Sequence, residues 1–173
     1  MFKLEPTEYA PAYGNYIALV PEDDIRDAYA KQADELRSVF KGLPEDRGAY
    51  AYDAGKWTIK EVLSHLIDCE RIFSYRMLRF SRGDETPLAT FDQEDSGYTL
   101  YSNANGRSFA DLLDEFAYVR AANTLMLNNM DEAALKRVGV ASGNPISVRA
   151  LARICVGHVR HHVNVLKDRY LAG

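Results

Sequence analysis

The spacing of apolar residues restricts this chain to a narrow set of folds. In four stretches of about 20 residues, apolar side chains recur every three or four positions, the repeat of one helix face. The first follows Pro21 and carries Ile25, Tyr29, Leu36, Val39, Phe40 and Leu43, with Gly42 and Pro44 marking its end. Acidic residues crowd its first turn, where the positive end of the helix dipole favours them. The second opens at WTIKE, in which Thr58 and Glu61 have the spacing of a capping box. Its stripe is Val62, Leu66, Cys69, Phe73, Met77 and Phe80, and Gly83 closes it. The third starts at Ser108 with Phe109, Leu112, Leu113, Phe116, Leu127 and Met130 facing inward. The fourth begins near Ser147, after Pro145, carries Leu151, Ile154, Cys155, Val165 and Leu166, and reaches about Tyr170.

Alternation of the kind that marks strands between hairpin turns is not evident. The expected fold is therefore all-α: a four-helix bundle in one domain over residues 1–173. Ahead of it lies a tyrosine-rich N-terminal arm, EYAPAYGNYIALVP, expected to cross the bundle as an extended strap. A long connection, residues 85–106, joins the second and third helices. Loops of that length in compact domains act as lids or crossovers, and this one is expected to lie over a pocket.

Composition removes several classes of function. Apolar residues make up 47% of the chain and the net charge is -4, without a basic cluster, which argues against nucleic-acid binding. No apolar run approaches the ~20 residues that span a bilayer, and the N-terminus does not read as a signal peptide. Two cysteines, Cys69 and Cys155, are too few for a disulfide framework and fit a reduced, cytoplasmic setting.

Within that frame, the histidines stand out. The chain has 4, and His158, His161 and His162 all fall in the stretch GHVRHH. Positions i and i+4 share a helix face, so His158 and His162 point together into the middle of the fourth stripe while His161 falls to one side. The remaining one, His65, flanks the second stripe beside Cys69, Ile72 and Arg76. If the second and fourth helices are neighbours, three imidazoles converge with a coordination position left open, the pattern of a catalytic metal site. All-nitrogen ligation suits zinc, nickel, iron or copper without choosing among them. The competing reading is a set of hydrogen-bonded core histidines, since an HxxxH pair alone is common in helices.

Other polar residues interrupt the apolar stripes. Gln32, Arg76, Arg120 and Asn123 are candidates for pocket lining, or for structural networks inside the bundle. Glu61 and Asp68 lie one turn to either side of His65. Either could accept a ligand's second ring N–H or act as a general base, with Asp68 the catalytic candidate. Glu61 is equally explained by the capping box, and Asp68 by a solvated face. Cys69 and Cys155 lie close enough in sequence to His65 and His158 to approach a metal, but are read as small core residues. Trp57 and the arm tyrosines Tyr9, Tyr13 and Tyr16 are read as packing, with a cleft wall as the alternative.

Three segments, YAPAYGNYIALVP, GKWTIKEVLSHLIDCERIFSYRMLRFSRGDETPL and ASGNPISVRALARICVGHVRHHVNVLKDRYL, give the chain a resemblance to the DinB/YfiT superfamily over almost its whole length. The resemblance implies a four-helix bundle, commonly dimeric, with a divalent metal held by three histidines. Carried over position by position, the ligands would be His65, His158 and His162, with His161 excluded. It also implies an enzyme acting on a small-molecule substrate, either a metal-dependent hydrolase or an S-transferase using a low-molecular-weight thiol. The alternative is a non-catalytic metal-binding stress-response protein or a dimeric interaction module.

Overall fold

A computed structural model describes residues 4–93 and 97–172. The N-terminal arm turns through two short 3-10 segments, Pro6–Glu8 and Pro11–Tyr13, into a small helix α1, Gly14–Ala18. It is therefore coiled, where an extended strap was expected. Four long helices follow, α2 (Ile25–Val39), α3 (Ile59–Ser81), α5 (Phe109–Asn128) and α7 (Val148–Val165). Short elements interleave them: α4 (Tyr98–Tyr101), α6 (Glu132–Lys136), and strands β1 (Val138–Ala141) and β2 (Asn144–Ser147). A π-turn, Leu166–Tyr170, extends α7.

Side-chain caps set the helix starts. Asp24 accepts from the Arg26 amide, Ser108 from Asp111 and Ser147 from Ala150. At α3 the capping box closes in both directions: the Glu61 amide reaches Thr58 Oγ1 at 3.2 Å, and the Thr58 amide reaches Glu61 Oε2 at 2.7 Å. Each such cap satisfies otherwise orphaned amides and contributes about 1 kcal/mol. Gly83, just beyond α3, has φ +79°, a conformation glycine adopts without steric cost.

Cross-helix contacts give the directions. Arg71 pairs with Glu115 and Glu70 with Arg120, while the α3 N-cap Thr58 touches Asn105 just ahead of α5. Thus α3 and α5 run parallel. His65 faces His158 and Glu70 faces Cys155, so α3 and α7 are antiparallel neighbours. Parallel adjacent helices oblige the chain to return along the length of the bundle, which explains the long connection between α3 and α5. Part of that connection is anchored to the hairpin: the Leu88 amide donates to Val140 O at 2.8 Å, and the Ser142 amide to Leu88 O at 3.0 Å.

The β-hairpin was not expected from the sequence. Ala141 pairs with Asn144 across a two-residue turn in which Ser142 and Gly143 both have positive φ, 52° and 75°. That is the type I′ geometry that matches strand twist. Gly139 sits where a Cβ would collide with the Phe80 ring, so the hairpin packs closely on the end of α3.

The bundle interior has two apolar clusters. One holds Leu36, Leu63, Leu66, Leu112 and Phe116, the other Tyr29, Phe73, Met77, Leu127, Leu151 and Ile154. Between them runs a buried polar layer of Gln32, His65, Glu70, Arg120, Asn123 and His158. Fully burying each leucine contributes about 2 kcal/mol, so the two apolar clusters carry the fold.

Candidate metal centre

Helices α3 and α7 bring His65, His158 and His162 together. His158 Nε2 lies 3.0 Å from His65 Nε2 and 3.1 Å from His162 Nε2. The three ring centroids form a near-equilateral triangle of 4.9, 4.8 and 4.6 Å. His161 stays outside it, its ring edge-on to Tyr16 at 5.3 Å. A glycine makes part of this possible. A Cβ on Gly157 would sit 2.0 Å from Tyr16 O, so only glycine lets α1 cross α7 there and bring Tyr16 against His158, 5.5 Å between centroids.

The rings are held neutral. Burial pushes the His65 pKa down to about 4. Burial, with the repulsion of His65 and His161, pushes His162 down to about 3. His158 is driven well below its ordinary value by burial first and then by the other histidines. In a neutral imidazole Nε2 carries either one N–H or one in-plane lone pair, so His158 Nε2 can hydrogen-bond well to only one of its two neighbours and the other close N···N contact has no proton along it. Such an arrangement repels unless a cation sits between the nitrogens, and burial disfavours a proton in that place. Nitrogens sharing an ion at about 2.1 Å are separated by roughly 3.0–3.4 Å, so these residues fit one divalent ion.

The histidines form part of the wall of a cavity of about 430 Å³. Trp57, Tyr13 and Tyr16 also line it, as do Phe73, Thr90, Phe91 and Gln93. The 85–106 connection therefore does border this cavity, although its residues 94–96 lie outside the described residues. Cys69 approaches as well: its Sγ is 3.7 Å from His65 Nε2 and 3.5 Å from Gln93 Oε1. Donor atoms of His65, Cys69 and His158 all fall within 4.8 Å of one another. Burial pushes the Cys69 pKa up to about 12, so without a metal it is a neutral thiol.

The remaining sequence candidates separate. Arg76 lines the cavity. Arg120 and Asn123 do not; they bind Glu70 in the buried layer, at 2.7 Å each. Gln32 donates to Val156 O at 2.9 Å and borders a different cleft between α2 and α7. Glu61 is engaged by its capping box and by Asn105 at 3.2 Å. Asp68 accepts the Tyr98 hydroxyl at 2.7 Å. Among the described residues neither Glu61 nor Asp68 has a hydrogen bond to a histidine. Sequence reasoning passed over Glu70, whose position on the α3 stripe beside Cys69 was the available signal, and Ser142, which only the hairpin places at the cavity.

A helical bundle with a histidine cluster opening on a cavity defines the class of protein. The sequence matches the DinB superfamily over residues 28–166, and the chain belongs to that superfamily. Among solved structures it is similar to YfiT from Bacillus subtilis, reported as a probable metal-dependent hydrolase with an unusual four-helix bundle topology. The TM-score is 0.71 at 16% identity, covering 96% of this chain and 90% of that one, a likeness of fold. No curated protein matches the chain. Among the described residues, no helix is long and apolar enough to cross a membrane.

Proposed function

We propose that this protein is a cytoplasmic metal-dependent enzyme in which His65, His158 and His162 hold a divalent zinc, nickel or iron ion. The observation that carries this reading is the convergence of three neutral imidazoles, at 3.0 and 3.1 Å, on the wall of a cavity of about 430 Å³. Bound there, the ion would supply Lewis acidity to activate water or a small thiol against a small-molecule substrate, by hydrolysis or by S-transfer. The chain's own groups do the rest. Burial keeps the imidazoles unprotonated and available as donors. Trp57, whose ring is 4.8 Å from His65, and Phe73, whose ring is 5.7 Å from His158, restrict water at the rings. Asp68 orients Tyr98, whose ring stands 6.3 Å from His65. We assign Asp68 this positioning role in place of that of a general base.

A homodimer belongs to the same reading. Tyr75 and Leu78 on α3 and Tyr118 and Leu125 on α5 are exposed apolar residues on adjacent helices. Light scattering of the purified protein should give twice the 19.5 kDa chain mass.

The metal content of untagged protein, measured by elemental mass spectrometry beside a His162→Ala variant, tests the centre. Near-stoichiometric metal in the parent and its loss in the variant are expected. No metal in either, even after reconstitution, would overturn the reading and leave a bundle with buried histidines.

A further inference from the structure

Arg76 is the group in the cavity that a metal centre alone does not explain. It is 5% exposed, and among the described residues it has no carboxylate within ion-pairing distance. The other buried arginine, Arg120, is answered by an acid, Glu70. Among the described residues the hydrogen-bond partners of Arg76 are neutral. Its Nη2 donates to Ala89 O at 3.2 Å and to Ser142 Oγ at 3.1 Å. Its Nε and Nη1 have no acceptor among the described residues and are not sealed off, and Arg76 is part of the cavity lining. A guanidinium held out of bulk water without a counter-charge is costly, and an anion bound beside it would offset that cost.

Position supports the same conclusion. Residues 65 and 76 are 11 apart on α3, three full turns, so both lie on the face that forms the cavity wall. Their Cα atoms are about 16 Å apart along the helix axis, and the arginine leans back toward the helix N-terminus, leaving a gap on the order of 10 Å. Between them Cys69, Ile72 and Phe73 form an apolar floor. The hairpin turn holds Ser142 Oγ against the guanidinium, and the loop carbonyl of Ala89 fixes its plane.

We propose that Arg76 is the anion-recognition residue of this cavity, and that the substrate or thiol is a small molecule bearing a carboxylate or phosphate about 10 Å from its reacting atom. This deepens the functional reading above and depends on it only for which end of the molecule reacts. The anion lies across two guanidinium N–H groups, its apolar body along Ile72 and Phe73, and its far end reaches the histidines.

The test uses 6-mercaptohexanoate and its neutral counterpart 6-mercaptohexanol, titrated into cobalt-loaded and into metal-free protein. Binding is followed by fluorescence of Trp57, the chain's 1 tryptophan, which lines the cavity. The carboxylate should bind about tenfold or more tightly than the alcohol in both metal states, as expected for hydrogen bonds to a buried charge. Arg76→Met should erase that preference without weakening the alcohol. Arg76→Lys keeps the charge, loses the fork and should shrink the preference severalfold. Equal affinity of the two probes for the parent protein, or an undiminished preference in Arg76→Lys, would overturn the proposal. Should Arg76→Met fail to fold, the parent and Arg76→Lys decide. The visible spectrum of bound cobalt reports separately on the histidines. Its absence counts against the metal centre alone, because the metal-free titration carries the Arg76 comparison.

Discussion

Replacing Arg120 with methionine tests the buried layer most directly. The Arg120 side chain is 2% exposed and that of Glu70 0%, with Nη2 to Oε2 at 2.7 Å. Glu70 also accepts from Asn123 at 2.7 Å and from the Cys155 thiol at 2.8 Å. The guanidinium stacks 4.3 Å from the Tyr29 ring centroid and 5.3 Å from that of Phe116. Burial is the largest influence and opposes its charge, but Glu70 together with Cys155, Tyr29 and Glu35 outweighs it and holds the Arg120 pKa up. Arg120→Met removes the positive partner and leaves a carboxylate in the core with two neutral donors, a loss of about 3–5 kcal/mol. For a chain of 173 residues, at about 2–4 °C per kcal/mol, the midpoint should fall by roughly 10 °C. Glu70→Leu alone strands the arginine and should cost about as much. The double variant replaces both charges with apolar groups and should lose far less than the sum, within about 2 kcal/mol of the parent. Urea unfolding followed by far-UV circular dichroism gives all three numbers. A loss below about 1 kcal/mol for Arg120→Met, or single losses that simply add, would refute the account of the layer as a coupled ionic network.

Two further outcomes concern the arm. Glu8 binds Arg149 and accepts from Ser147 Oγ at 2.7 Å; burial raises its pKa, but these bonds and that from the Glu5 amide outweigh it and bring it from 4.5 to about 2. Its folded pKa lies below the unfolded one, so the stabilisation is complete above pH 4.5 and is lost as pH falls from 4.5 through 2. After solvent screening it is of order 1–2 kcal/mol, and Glu8→Gln should lose it at neutral pH while flattening the stability profile in that window. Gly157→Ala puts a methyl 2.0 Å from Tyr16 O, a backbone atom. It should cost about 1–3 kcal/mol by thermal denaturation and displace Tyr16 from His158.

Local rules made the long helices legible. Thr58, Ser108 and Ser147 were visible as starts, and each accepts the amide three residues on. The facing of His158 and His162, and the exclusion of His161, followed from helical spacing alone. What the sequence did not reveal depends on contacts between distant segments. The pairing of α3 with α7 is fixed by tertiary packing, and only the family resemblance pointed to it. The hairpin was hidden because its strands are four residues each and β2 contains Pro145, so alternation had too little length to register. Arg120 and Arg76 looked alike in sequence, both charges on apolar stripes. The difference is Glu70, which answers one and not the other, and that is a fact of three-dimensional neighbourhood.

The candidate ligands and the cavity's far walls have different mechanical origins. His65, His158 and His162 stand on two long helices locked by the core, whereas Tyr13, Tyr16, Thr90, Phe91, Gln93 and Ser142 come from the arm, a connection and a turn. Connections tolerate insertion and exchange far better than packed helices do. The walls can therefore be rewritten while the histidine triangle keeps its dimensions, which makes this scaffold a natural host for directed evolution: libraries confined to residues 13–16, 88–93 and 140–143 would vary what is admitted without disturbing what would activate it.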